Sequence, residues 1–357
     1  MGQNEISGYS FWQTQFNIKQ PPLHYLRVKH EASNQPAVKG FRRLSPVLGR
    51  VRQSIRAFFA LIALGDATIP PPAASTVQSP SVRAVPLDPM ENLLTPELEA
   101  LRYIQYEVQD RIGYITLNRP DKRNALNADV VTELKQAFEV AENDDEAKVI
   151  VLRSAGEVFC AGADLAYIQE LQGFGYTDNL EDSTHLMQLF HQIYTLKKVV
   201  IGQVQGHALA GGCGLAAICD LTFAAPEAKF GYTEVKIGFL PAIVSVFLLR
   251  KIGEARTKRL LLTGDPISAQ TALDMGLITF LAPKDELAAN VHAFAQRMCH
   301  ENSAQSMETT KEMLARLPEL DLEEGLRYAA QQNAEARGSE DCRKGIAAFL
   351  SKEKIGW

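Results

Sequence analysis

The sequence from Met90 to Trp357 predicts an α/β fold. Three apolar runs read as strands buried on both faces: Val149–Leu152, Val199–Ile201 continuing to Val204, and Leu221–Ala225. Stretches with apolar residues at helical spacing lie between them. The chain beyond residue 240 is patterned almost wholly as helix. Strands alternating with helices, followed by a helical tail, exclude a pure sandwich or a pure bundle.

The elements follow in order. Tyr103–Val108 and Ile112–Leu117 flank Gln109-Asp110-Arg111 and read as a β-hairpin. The segment Asn127-Ala128-Asp129 offers helix-capping side chains, and Val130, Leu134, Ala137, Phe138 and Ala141 then follow at helical spacing. Further helices are expected over 164–173, 183–196 and 212–219. The tail is expected to hold helices over 242–252, 255–263, 268–275, 285–301, 303–316 and 322–335.

Residues 1–89 differ in composition. They hold 10 of the 37 Lys+Arg, 4 of the 42 Asp+Glu and 10 of the 17 prolines, so a basic, proline-rich arm precedes an acidic domain. Pro70-Pro71-Pro72 opens a Pro/Ser/Ala-rich stretch that cannot bury enough apolar surface to offset its ordering entropy. The expectation is a disordered extension over 1–89 and one complete domain over 90–357. An alternative is that Met90 is the true start. Ala57–Leu64 follows Arg50, Arg52 and Arg56 but begins too late for a signal segment.

The net charge of −5 argues against a nucleic-acid partner. No apolar run reaches the ~20 residues that span a bilayer, so no membrane partner is expected. The five cysteines are odd in number, with no CxxC pair, and read as reduced thiols of a cytoplasmic protein. No HExxH or His-x-His occurs, so no metal site is expected. Neither GxGxxG after a strand nor GxxxxGK[ST] is present, which removes the usual nucleotide loops.

Two segments carry the chemistry. Phe159-Cys-Ala-Gly-Ala-Asp-Leu165 follows the first apolar strand, and Gln205-Gly-His-Ala-Leu-Ala-Gly-Gly-Cys-Gly-Leu215 follows the second. Each is strand, small-residue loop, helix. Helix N-termini present unpaired N–H groups, and small residues let a ligand approach them. Two such termini side by side can grip a developing oxyanion. Taken singly, either loop is equally a tight turn that lets a helix pack.

These loops stand between Asn118-Arg-Pro-Asp-Lys-Arg-Asn-Ala-Leu126 and Lys229-Phe-Gly-Tyr-Thr-Glu-Val-Lys-Ile-Gly-Phe-Leu-Pro241. The four motifs in this order resemble the crotonase superfamily, the enoyl-CoA hydratase/isomerase family, over about Tyr103 to Lys354. The resemblance implies a spiral of β-β-α turns with a helical C-terminal region, assembled as homotrimers or homohexamers. It implies an acyl-CoA substrate and no cofactor beyond the CoA which that substrate carries. It assigns the thioester oxygen to the backbone N–H groups of Ala163 and Gly211. It assigns CoA to Arg123, Ala125, Ala161, Asp164 and Leu165, joined by Phe349 and Lys352 near the C-terminus, in some members from a neighbouring subunit.

Adding water to an enoyl thioester needs one group to deprotonate water at C3 and another to protonate C2. The resemblance gives those tasks to two glutamates. One is present as Glu234. The other position is Gly214, which cannot titrate. Tyr232, Glu157, Glu170 and Asp182 are candidates for the missing role, and Cys213 lies beside the gap. The segment Pro241–Arg250 reads as an apolar helix lining the acyl side. Together with Gly214 it resembles members that hydrate methylglutaconyl-CoA in leucine breakdown. Four readings stay open: hydration or dehydration, Δ3-Δ2 isomerisation by Glu234 alone, another enolate reaction, or binding without catalysis.

Overall fold

The computed structural model describes residues 101–357. The basic arm over 1–89, the segment Ala57–Leu64 and Met90 lie outside the described residues.

The described residues open on the expected hairpin. β1 (Ile104–Gln109) pairs antiparallel with β2 (Ile112–Leu117), with Gln109 opposite Ile112. The turn is therefore two residues long. Asp110 and Arg111 both take positive φ, at 53° and 64°, which is what a type I′ turn needs to match the strand twist.

From β2 onward the chain winds in β-β-α turns of unequal length. The first turn is β2, a bridge residue Leu126 and α1 (Ala128–Asn143). The Asn127 side chain caps α1 by accepting from the Val130 N–H at 3.0 Å. The second is β3 (Val149–Ser154), bridge residues Cys160 and Ala163, then α2 (Leu165–Leu171) and α3 (Tyr176–Thr195). The third is β4 (Val199–Val204), β5 (Ala208–Leu209) and α4 (Gly211–Ile218). The fourth is β6 (Leu221–Ala224), β7 (Lys229–Gly231), a 3-10 turn over Glu234–Ile237 and α5 (Ala242–Thr263). Then come β8 (Ile267–Ser268), α6 (Ala269–Met275) and β9 (Phe280–Leu281). The tail is α7 (Leu287–Glu301), α8 (Ala304–Arg316), α9 (Leu322–Gly338) and α10 (Glu340–Ser351).

The first strands of the turns build one sheet in the order β1-β2-β3-β4-β6-β9, parallel from β2 on. The second strands build the smaller sheet β5-β7-β8. The large sheet is buried on both faces. Val149 and Val151 point to the side covered by Leu287, Val291 and Ala295 of α7. Ile150 and Leu152 point to the other side, against Leu134 and Phe138 of α1. All four strand residues are fully buried, which explains the unbroken apolar run. Each such side chain contributes ~1.5–3 kcal/mol.

Several expectations need adjustment. The helix expected over 183–196 begins earlier, at Tyr176, on a polar first turn. Helix α10 lay outside every expected range. The split between 242–252 and 255–263 is real: Gly253 takes φ 75° and ψ 169° inside α5 and breaks it.

Three lysines end helices from elsewhere in the chain. Lys148 Nζ donates to Cys299 O and Asn302 O at the end of α7, both at 2.7 Å. Lys198 Nζ donates to Ala141 O at 2.9 Å and Asp144 O at 2.6 Å at the end of α1. Lys251 Nζ donates to Ala217 O at 2.6 Å and Cys219 O at 2.8 Å at the end of α4. A cation there satisfies orphan carbonyls and meets the negative end of the helix dipole. Burial pulls all three ammonium groups below the ordinary lysine value.

Candidate active site

The two loops meet. Cys160 bridges Ala208, and Leu209 N donates to Cys160 O at 3.0 Å. A Cβ on Gly162 would sit 2.7 Å from Ala210 Cβ and 3.4 Å from Gly211 N, and one on Gly212 would sit 2.3 Å from Cys160 O. Side chains at these glycines would push the loops apart.

Ala163 is exposed, and its amide is directed by its neighbours. Leu126 donates to Gly162 O at 2.7 Å and accepts from Asp164 N at 2.8 Å. In a parallel bridge that uses the groups flanking Ala163 and turns its own N–H away. Gly211 is the first residue of α4, so its N–H has no intrahelical partner. Among the described residues, neither amide donates to an acceptor. The two free donors sit on touching loops.

Ala210, which no sequence motif singled out, aims the second donor. It holds φ 49° and ψ −126°, a combination suited to glycine, and its N–H is tied to Gly231 O at 2.7 Å. Such strain costs ~1–3 kcal/mol. Ala210→Gly is therefore expected to raise stability by ~1 kcal/mol net of glycine's unfolded-state entropy. A urea midpoint that falls would contradict that account.

The residues that the resemblance assigned to CoA divide into two places. Arg123, Ala125, Ala161, Asp164 and Leu165 lie together, because Ala161 N donates to Arg123 O at 3.0 Å beside the Leu126 bridge. Arg123 is exposed in a left-handed conformation, and Leu165 is 75% exposed. The Asp164 side chain is engaged within the protein. It caps α2 through the Ala166 N–H at 3.0 Å and pairs with Arg119 at 2.9 Å. Burial pushes its carboxyl up, but the Ala166 N–H and the Arg119 guanidinium together hold it below the ordinary range. Phe349 and Lys352 lie apart, on the last turn and C-cap of α10, with Phe349 83% exposed. Among the described residues, no hydrogen bond or ion pair joins either to the loops.

Glu234 opens the 3-10 turn after β7 and is half-buried. Lys236 turns to Asp265 at 2.8 Å, so it does not engage Glu234 as a salt bridge. Glu234 Oε2 is buried without a hydrogen-bond partner. Burial raises its carboxyl above the ordinary value, against a weaker opposing backbone hydrogen bond. A carboxylate whose pKa is raised and whose oxygen is free is equipped to take up and return a proton.

Gly214 is not a vacant place for a second carboxylate. A Cβ there would lie 2.5 Å from Val244 Cγ1 on α5 and 2.9 Å from Phe190 Cε1 on α3. The apolar helix expected on the acyl side has filled the position. Of the candidates for the missing role, Glu157 is exposed and paired with Lys284, Asp182 accepts from Tyr167 Oη, and Glu170 is exposed. Tyr232 is fully buried, and its Oη is also without a partner.

Two grooves of about 770 and 690 Å³, one along α7 and α8 and one between α3, α5 and α8, are lined by neither the loops nor Glu234. Among the described residues, no group of three or more His, Cys, Asp or Glu is placed to hold a metal ion. No described helix is long and apolar enough to cross a membrane.

The winding, the paired loops and the helical tail define a crotonase-fold acyl-thioester enzyme. Residues 107–357 match the enoyl-CoA hydratase/isomerase family, and the chain belongs to that family. A Thermus thermophilus protein carrying a provisional enoyl-CoA hydratase name is 42% identical over 68% of this chain and 95% of its own length. The short-chain-enoyl-CoA hydratase of Clostridium acetobutylicum is 30% identical over 71% of this chain and 97% of its own. A crystal structure of an enoyl-CoA hydratase from Shewanella pealeana is similar with a TM-score of 0.70 at 28% identity, covering 75% of this chain and all of that one.

Proposed function

We propose that this enzyme adds water to a short or branched enoyl-CoA, or removes it, through an oxyanion hole made by the Ala163 and Gly211 N–H groups with Glu234 as acid and base. The observation that carries the reading is the pair of undonated main-chain N–H groups on touching loops. Charge grows on the thioester oxygen as an enolate forms, so fixed donors there favour the transition state over the ground state. Losing one such donor costs ~3 kcal/mol.

The CoA moiety is assigned to the Arg123–Leu165 cluster, with Phe349 and Lys352 supplied by a neighbouring protomer of a trimer or hexamer. Their exposure away from the loops supports that division. The apolar surface that Val244 presents over Gly214 favours a compact acyl group, such as a branched one from leucine breakdown. The unpaired cysteines fit a reducing cytoplasm, and no cofactor beyond the substrate's CoA is invoked.

The packing over Gly214 also favours a second reading. A lone carboxylate that takes a proton from one carbon and returns it to another is a Δ3-Δ2 isomerase. Mass detection of products from trans-2-enoyl-CoAs separates the two. A gain of one water supports hydration. A moved double bond at unchanged mass supports isomerisation. No conversion of straight or branched substrates would sink both.

A further inference from the structure

We propose that the Tyr232 hydroxyl positions the water that adds to C3, taking the place of the carboxylate that Gly214 cannot supply. The proposal rests on hydration being the reaction. It starts from two orphan atoms. Glu234 Oε2 and Tyr232 Oη are both buried, both lack partners, and belong to residues two apart on the segment that follows β7. Buried tyrosine hydroxyls ordinarily find a partner, and leaving one unpaired costs ~1–3 kcal/mol.

Among the described residues, no nitrogen or oxygen satisfies that hydroxyl. The neighbouring polar group is the Cys213 thiol, fully buried on α4, whose weak contact with the Tyr232 hydroxyl falls short of satisfying it. A thiol is a weak donor and a weak acceptor. Burial, together with the Glu234 charge, pushes Cys213 up to about 12 and Tyr232 well above its ordinary value, so both stay protonated and neutral. Tyr232 is then a fixed neutral hydroxyl within the electrostatic reach of the Glu234 carboxylate. A water that donates one proton to Glu234 and bonds Tyr232 through its oxygen would satisfy both orphans at once.

The step balances with those groups alone. Glu234 takes a proton from the water as its oxygen bonds C3. The C2–C3 π pair moves toward the thioester, whose oxygen takes the charge between the Ala163 and Gly211 amides. Glu234 then returns the proton to C2 as the enolate collapses. Tyr232 exchanges no proton. It holds the water oxygen on the face of C3.

The test is Tyr232→Phe in the full chain, with three readouts. Hydration of crotonyl-CoA is expected to fall roughly 100-fold in kcat with KM little changed. Exchange of the α proton of butyryl-CoA in D2O, which needs Glu234 and the amides but no added water, is expected to stay within threefold. The thermal midpoint is expected to hold or rise, because the hydroxyl removed has no nitrogen or oxygen partner among the described residues and only a weak thiol contact. Wild-type enzyme that adds no water would overturn the hydration reading and this proposal with it. Hydrating wild-type enzyme with an equally fast variant would overturn the proposal alone. Equal losses of hydration and exchange, with a lowered midpoint, would make Tyr232 a packing residue and overturn it too.

Discussion

Replacing Glu234 by Gln is expected to lower turnover by roughly 10²–10⁴-fold while acyl-CoA still binds. Among the described residues, the Glu234 carboxylate has a buried oxygen without a partner and forms no salt bridge, since Lys236 is turned to Asp265. The same substitution has a signature in stability. Burial raises the folded-state pKa of Glu234 above its ordinary value of 4.5, so the folded protein holds that proton more tightly than the unfolded chain does. Stability from this group is complete below the ordinary carboxylate range and is lost as pH rises through the folded value. Glu234→Gln is therefore expected to melt higher than wild type at neutral pH, with the advantage vanishing under acid conditions. Steady-state rates and melting curves across pH check both halves. Turnover within threefold of wild type would remove Glu234 from the mechanism.

Gly214→Glu, the substitution that would restore a second carboxylate on paper, is expected to damage the protein instead. Its Cβ would start 2.5 Å from Val244 Cγ1 with Phe190 at 2.9 Å. Overpacking costs ~1–3 kcal/mol, and an unpaired polar group in the same place adds a comparable amount. A loss of ~3 kcal/mol would lower the midpoint by roughly 10 °C in a domain of this size. Hydration should not improve. Adding Val244→Ala removes the closest atom and is expected to recover part of the loss. A stable Gly214→Glu enzyme with faster hydration would show that α5 yields at this point.

Much of the architecture was legible because it depends on short-range pattern. The β3 run is unbroken because α7 covers one face and α1 the other. The Gln109–Arg111 region was read correctly as a turn, though Gln109 joins the ladder. The short strands β5, β7, β8 and β9 were not legible, since two or three residues carry no period. Within the site, the motifs marked Ala163, Gly211 and Glu234. They did not mark Ala210, whose strain is a property of the backbone angle. Nor did they show that Asp164 is held by Arg119, 45 residues earlier, or that Val244 closes the space over Gly214. Those facts arise where separate turns of the spiral touch, and no local window contains both partners.

The lysine caps bear on how this chain comes apart. A winding of successive β-β-α turns resembles a repeat array, in which units lose structure one after another from an end. Here Lys198, after the second turn, closes the helix of the first, and Lys251, in the fourth, closes the helix of the third. Lys148, between the first two turns, closes α7 in the tail. Removing either end of the winding strands a buried ammonium and opens a helix end elsewhere. Such cross-ties couple the turns, so residues 101–357 should melt in one cooperative transition instead of fraying turn by turn.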